Sequence, residues 1–167
     1  MKGTTSALRV AFGRAPGQDR EGELLQIAND PVPRHVMECY ALANMRLCSA
    51  NVAGTTTSAA TTKMSNNCLR HLAATIRILE PTLCILQSVD IRGVIEPELS
   101  NAEIIDPRFP KLEYAEFAGA PTMIAAFPHP YQRGRNSHLN WGNSDSTPYL
   151  NDVVAPTITA ARTFALG

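Results

Sequence analysis

The chain has 167 residues, of which 15 are Lys or Arg and 15 are Asp or Glu, so its formal net charge is zero. That length suits one domain, 1–167, with a real hydrophobic core. A neutral chain lacks the bulk field that recruits nucleic acid, so any DNA contact must come from a local basic patch. No apolar run approaches membrane-spanning length, and Met1–Ala7 is short and polar, without the apolar centre of a signal peptide. A soluble, cytoplasmic protein is therefore expected. Ala7–Phe12 is a short apolar run interrupted by Arg9, which predicts a strand ending in the loop Gly13-Arg14-Ala15-Pro16-Gly17. Two glycines and a proline make that loop a tight turn where backbone can approach a ligand. Glu21–Ala28 predicts a short helix, broken by Asn29-Asp30-Pro31-Val32-Pro33, and Val36–Ala43 reads again as a strand.

Ser49–Thr62, with almost no bulky side chain, reads as a flexible loop. Ser65 or Asn66 caps a predicted helix that runs to about Leu79, with Leu69, Leu72, Ala73, Ile76 and Leu79 on one face. Pro81 stops it, and Thr82–Leu86 follows as a buried strand. Glu96–Pro110 contains three prolines and is expected to be loop with at most a helical turn, whereas Lys111–Phe117 alternates as a short strand does. After the polar Gly142–Ser146, Thr147 caps a last helix with Pro148 at its first position, running towards Phe164 and kinked or split at Pro156. There is no internal repeat or domain boundary. Strands alternating with helices predict an α/β fold with a mainly parallel sheet.

The chain is organised around Pro121–Trp141. Thr122–Phe127 is apolar on both faces, as a buried parallel strand is. Pro128-His129-Pro130 then ends the ladder and directs the exit loop. In an open α/β sheet, ligands bind beyond the carboxyl ends of the strands. A histidine held there, followed by Arg133 and Arg135, suits a site that meets an anion; the same residues would equally serve an exposed loop that happens to carry a histidine. Of the four cysteines, Cys39 and Cys84 fall in predicted strands and Cys48 and Cys68 outside them, with no close C-x-x-C pair.

Four stretches in order resemble the uracil-DNA glycosylase superfamily, most closely its iron–sulfur branch. They are GRAPG at Gly13–Gly17 against G-E-A-P-G, and YALANMRLCS at Tyr40–Ser49 against Y-x-x-N-x-x-K-C. The third is NNCLRHLAATIRILEPTLCIL, against a cysteine-led helix, an L-x-P turn and an apolar strand. The fourth is the Pro128-His129-Pro130 loop against H-P-S. The resemblance covers most of Leu8–Arg162. It implies a three-layer α/β/α sandwich, a four-stranded, mainly parallel sheet between helices, whose upper loops hold a base flipped out of DNA that contains uracil or a related lesion. Gly13, Arg14 and Ala15 would then contact the substrate, and the carboxamide of Asn44 would read uracil N3–H and O4. His129 would donate to uracil O2, where charge develops as the glycosidic bond breaks. Tyr131, Arg133, Arg135 and Leu139 would meet the opened duplex. A monomeric hydrolase of N-glycosyl bonds is what this implies.

The chain also departs from that pattern. Arg14 stands where the branch has a glutamate that positions water, and a guanidinium cannot act as a base. Asp19 is the nearest replacement, followed by Glu21 and Glu23. No aromatic residue follows the first loop to stack on a base, Tyr131 replaces the usual serine, and Gln87-Ser88 replaces a leucine-glycine turn. A four-iron cluster needs four thiolates, and only Cys48 and Cys68 occupy ligand positions, so no metal or other cofactor is expected. Two other functions stay open. One is an impaired relative that binds DNA or a nucleobase without cutting; the other is a nucleotide or small-anion binding protein that uses GRAPG as an anion nest.

Overall fold

The computed structural model describes residues 2–17, 24–27, 30–45, 50–51, 58–59, 61–131, 134–142 and 147–166. The chain opens with helix α1 (Lys2–Ala11), not with the strand expected over Ala7–Phe12. A six-residue apolar run satisfies either period, and burial decided between them. Ala7 and Val10, three apart, join one core, with Ala11 packed against it, while Leu8 points to a separate cluster with Leu25 and Val36. Within the stretch expected as a short helix, β1 (Leu24–Leu25) pairs antiparallel with β2 (Arg34–His35). The strand expected over Val36–Ala43 is a single 3-10 turn, Val36–Glu38, followed by irregular chain. Within Ser49–Thr62, β3 (Ala50–Asn51) and β4 (Ser58–Ala59) pair antiparallel.

Helix α2 (Thr62–Leu79) starts a few residues before the expected cap, because the Thr61 hydroxyl accepts the Met64 N–H at 3.2 Å. Its buried face carries Leu69, Ala73 and Ile76 as expected, plus Ser65 and Cys68, whereas Leu79 is half exposed. Glu80 turns left-handed (φ 42°) and donates its N–H to the Ile76 carbonyl, so the helix ends just before Pro81. Strand β5 (Leu83–Leu86) follows, then the short helix α3 (Val89–Ile95) and a 3-10 turn at Glu96–Glu98. Strand β6 (Leu99–Ile104) lies where loop was expected. It is a polar, largely exposed edge strand, bulged between Ser100 and Glu103, and its order comes from pairing with β7 (Leu112–Phe117). Strand β8 (Ala120–Ala126) completes the main sheet.

The order in that four-stranded sheet is β5-β8-β7-β6. It is mixed, not mainly parallel: β5 and β8 run parallel, while β8–β7 and β7–β6 are antiparallel. Connection length forces this. Strands β7 and β8 are joined through Ala118 (φ 52°) and Gly119 (φ 88°), a two-residue turn with both residues left-handed. A parallel crossover needs a dozen residues or more. The β5-to-β8 connection has that length and carries α3, β6 and β7.

Alternation along the strands builds a core on each face of the sheet. On one face Leu112, Ala125 and Phe127 pack with Ala7 and Val10 of α1 and Ile158 and Ala161 of α4 (Ala155–Leu166). On the other, Ala115, Phe117 and Ile124 pack with Leu69 and Ile76 of α2 and Ile95 of α3. Arg92 of α3 ties that helix to the sheet through ion pairs with Glu113 of β7 and Glu96, and Glu113 holds the guanidinium even more firmly protonated than usual. The last helix is entered as expected, with Thr147 Oγ1 accepting the Leu150 N–H at 3.3 Å. Ahead of Pro156 it widens into a π turn, Leu150–Val154, closed by Ala155 N–H to the Leu150 carbonyl. A proline lacks the N–H and crowds the carbonyl four residues back, and the wider turn relieves both defects. Among the described residues no helix is long and apolar enough to cross a membrane.

Cys84, in β5, has its thiol pushed up to about 11 by burial. The folded state therefore disfavours the thiolate that an unfolded chain forms from about pH 9. This contribution to stability is complete below pH 9 and lost as pH rises to 11, an alkaline loss of about 3 kcal/mol. Urea midpoints measured across that window should fall more steeply for the parent than for Cys84→Ala; equal slopes would mean the thiol titrates normally.

Candidate functional site

Parallel pairing brings the carboxyl ends of β5 and β8 side by side, with Leu86 opposite Ala126 and the Phe127 N–H bonded to the Leu86 carbonyl at 3.0 Å. Two loops leave from there. Beyond β8, Pro128 and Pro130 are buried and His129 between them is exposed. Trp141, fully buried, donates its indole N–H to the Pro128 carbonyl at 2.8 Å and sets its ring edge-on to Phe127, centroids 5.9 Å apart. The Trp141 and Gly142 amides both donate to the Pro130 carbonyl, at 3.2 and 2.8 Å. The two carbonyls that flank His129 are thus fixed, and only its side chain faces outward.

The Tyr131 amide donates to His129 Nδ1 at 3.2 Å. An amide proton needs an unprotonated acceptor, so the neutral imidazole carries its proton on Nε2, a donor that bonds nothing among the described residues. Tyr131 is exposed, its ring 6.2 Å from that of His129. Arg135 is exposed on the 3-10 segment Gly134–Leu139, and its carbonyl bonds His138 Nδ1 at 3.2 Å. Leu139 is half buried.

Beyond β5, Ser88 and Asp90 line a cleft of about 240 Å³ with Asn44, Met45, Ile91 and Val94. Asn44 is exposed, and its carboxamide makes no hydrogen bond among the described residues. Asn44, on irregular chain, thus lies beside the residues that follow β5, and His129 follows β8, so both stand beyond the carboxyl ends of the two parallel strands. Asp90 was not singled out from sequence. The available signal was a carboxylate four residues past the end of an apolar strand.

The GRAPG loop is elsewhere. Gly13 (φ 78°) ends α1: its N–H bonds the Val10 carbonyl at 2.9 Å and the Arg14 N–H bonds the Arg9 carbonyl at 2.8 Å. This is a Schellman cap, in which the glycine serves the helix rather than a ligand. Arg14 reaches to the Leu24 carbonyl (2.8 Å), the Ala15 carbonyl accepts from Arg9 Nε (3.0 Å), and both the N–H and the carbonyl of Gly17 bond the buried Ser6 hydroxyl. A helix carboxyl end presents carbonyls and negative dipole, which argues against an anion nest. Gly3, at the other end of α1, lies against Trp141 and Gly142, whereas Gly13 lies against Arg162. Ten helical residues, about 15 Å, separate Gly13, Arg14 and Ala15 from the His129 loop.

Asp19, Glu21, Glu23, Arg133 and Cys48 lie outside the described residues. Cys68 is buried in α2, Cys39 follows the 3-10 turn rather than sitting in a strand, and Cys84 lies in β5. Among the described residues no three His, Cys, Asp or Glu side chains cluster as metal ligands would. Comparisons with protein-family models, curated proteins and solved structures find no match for the chain.

The clamp on the His129 loop is open to test. A Cβ on Gly142 would stand 2.7 Å from Pro130 Cβ and 2.8 Å from its carbonyl oxygen, so Gly142→Ala must push the loop away. Trp141→Phe leaves the Pro128 carbonyl buried and unpaired, at a cost of about 1–3 kcal/mol. Urea unfolding should show that loss, and the His129 ring resonances should move in both variants. Unshifted His129 signals in folded Gly142→Ala would mean that the loop is not held there.

Proposed function

We propose that the chain is a DNA-binding protein of the uracil-DNA glycosylase kind, which takes an extruded base at the carboxyl ends of β5 and β8. The observation that carries this reading is that Asn44, beside the residues that follow β5, and His129, past β8, both stand beyond the carboxyl ends of the parallel pair, the carboxamide bonding nothing among the described residues and the exposed imidazole accepting the Tyr131 amide at Nδ1. The cleft beside Asn44 is below the roughly 300–1,000 Å³ usual for whole small-molecule ligands, a size suited to a single base. Two cores on opposite faces of the sheet also support the three-layer arrangement that the resemblance implies.

In this reading Asn44 pairs with the base edge and His129 Nε2–H bonds O2. When the N1–C1′ bond breaks, its electron pair passes into the pyrimidine and the charge settles towards O2, where the donor stabilises it. Water adds to C1′ and gives up its proton. Asp90, lining the Asn44 cleft, is the described carboxylate best placed to orient that water and take the proton.

Purified protein should release uracil from a uracil-containing oligonucleotide. His129→Ala should slow release about 100–1,000-fold, and Asp90→Asn about ten- to a hundredfold. Asn44→Asp should lose preference for uracil over cytosine, because a carboxylate cannot donate to O4. Arg14→Glu should gain nothing, since Arg14 lies at the far end of α1. Release that is unaffected by His129→Ala, or restored by Arg14→Glu, would sink the assignment.

A second reading, binding without cleavage, is favoured by that same displacement of the GRAPG loop. It predicts DNA binding with no uracil release in any variant. Neutralising Arg133 and Arg135 should then flatten the salt dependence by about 0.7–0.9 per lost phosphate contact.

A further inference from the structure

A larger cleft lies apart from this site, on the outer side of α4. It measures about 630 Å³, inside the usual range for small-ligand pockets, and runs between α4, the β6–β7 connection and Pro16. Two aromatic rings line it, Phe109 from the connection and Phe164 from α4, and Phe164 is 42% exposed although apolar. Its polar groups are selective in kind. Thr159 donates its hydroxyl proton to the Ala155 carbonyl (2.8 Å) and Thr163 donates to the Thr159 carbonyl (3.0 Å), which leaves both hydroxyl oxygens as acceptors. Asn151, carried by the π turn, adds a carboxamide whose side chain bonds nothing among the described residues. Such turns recur at functional sites.

Charge in the cleft is already spent. Asp106 accepts from both the backbone and the guanidinium of Arg108, which holds its carboxyl below the usual range, and Arg108 lies 5.8 Å from the Phe109 ring centre. A phosphate or carboxylate would meet Asp106, and a hydrocarbon would leave Asn151 and two threonine oxygens unpaired. An uncharged, planar heteroaromatic ring with amino donors on its edge satisfies all of them. Its faces would lie on phenyl rings, its N–H groups would reach the threonine oxygens, and a donor–acceptor pair would face Asn151.

We propose that this cleft is a second ligand site, for an aminated purine-type base or nucleoside, distinct from the Asn44–His129 site and independent of the function assigned there. Adenosine is the probe. In calorimetry and saturation-transfer NMR on the full chain, adenosine should bind saturably and naphthalene should not. Phe164→Ala should weaken binding about tenfold by removing a stacking ring. Thr159→Val, which keeps the shape and removes an acceptor, should weaken it about three- to tenfold. Both positions are exposed, so both variants should fold, with urea midpoints as the check. A thymine–uracil oligonucleotide should not displace the nucleoside. Absence of saturable binding, better binding of naphthalene, parent-like affinity in either variant, or displacement by the oligonucleotide would each overturn the proposal.

Discussion

The indole N–H of Trp141 bonded to the Pro128 carbonyl is the contact on which the upper half of the molecule depends. A carbonyl two residues past the end of a central strand would otherwise be buried without a partner, a cost comparable to a large share of a small domain's stability. By meeting it, Trp141 also sets its ring against Phe127, while Gly142 lies against Pro130 and Gly3, at the amino end of α1, lies against Trp141 and Gly142. Glycine at 3 and at 142 lets these backbones approach to distances that a Cβ would forbid. One side chain thus couples β8, the His129 loop and the first helix.

What that coupling exposes is as informative as what it buries. With both flanking prolines buried and both flanking carbonyls bonded, His129 is the one residue of the tripeptide left at the surface. The Tyr131 amide then selects its tautomer. A fixed backbone carrying a donor of defined direction is preorganised, and it pays no reorganisation when charge develops opposite it. Asn44 reaches the same end of the sheet by a different route, on irregular chain that leaves the Val36–Glu38 turn and settles by Met45 against α3. The cleft along α4 is lined in part by another local irregularity, the proline at 156 and Asn151 of the π turn ahead of it.

The residues of the first candidate site were legible to different degrees. His129 stood out because two prolines after an apolar run can hardly be anything but a strand exit. Asn44 stood out through its resemblance to a motif, and its neighbour Asp90 did not, because nothing local distinguishes a cleft carboxylate from a solvated one. GRAPG misled for a physical reason: a glycine with positive φ serves a ligand loop and a helix cap equally well, and the choice depends on whether the preceding run is strand or helix. The Phe109–Phe164 cleft left no mark in the sequence, since its walls are 55 residues apart and meet only through the fold.

Taken alone, the sequence determined the elements with strong local signals. These are the long amphipathic helix ending before Pro81, the strands at Leu83–Leu86, Leu112–Phe117 and Ala120–Ala126, the threonine cap at 147 and the break associated with Pro156. Each rests on periodicity, capping or proline chemistry within a few residues. Tertiary structure decided the rest. Lys2–Ala11 is helical because α4 and the sheet bury it as a helix, and Leu99–Ile104 is a strand because β7 offers its edge. The sheet is mixed because a two-residue turn reverses the chain between β7 and β8. Short segments carry too little intrinsic preference to choose a state, so the partner that removes their surface from water, and bonds their backbone, chooses for them.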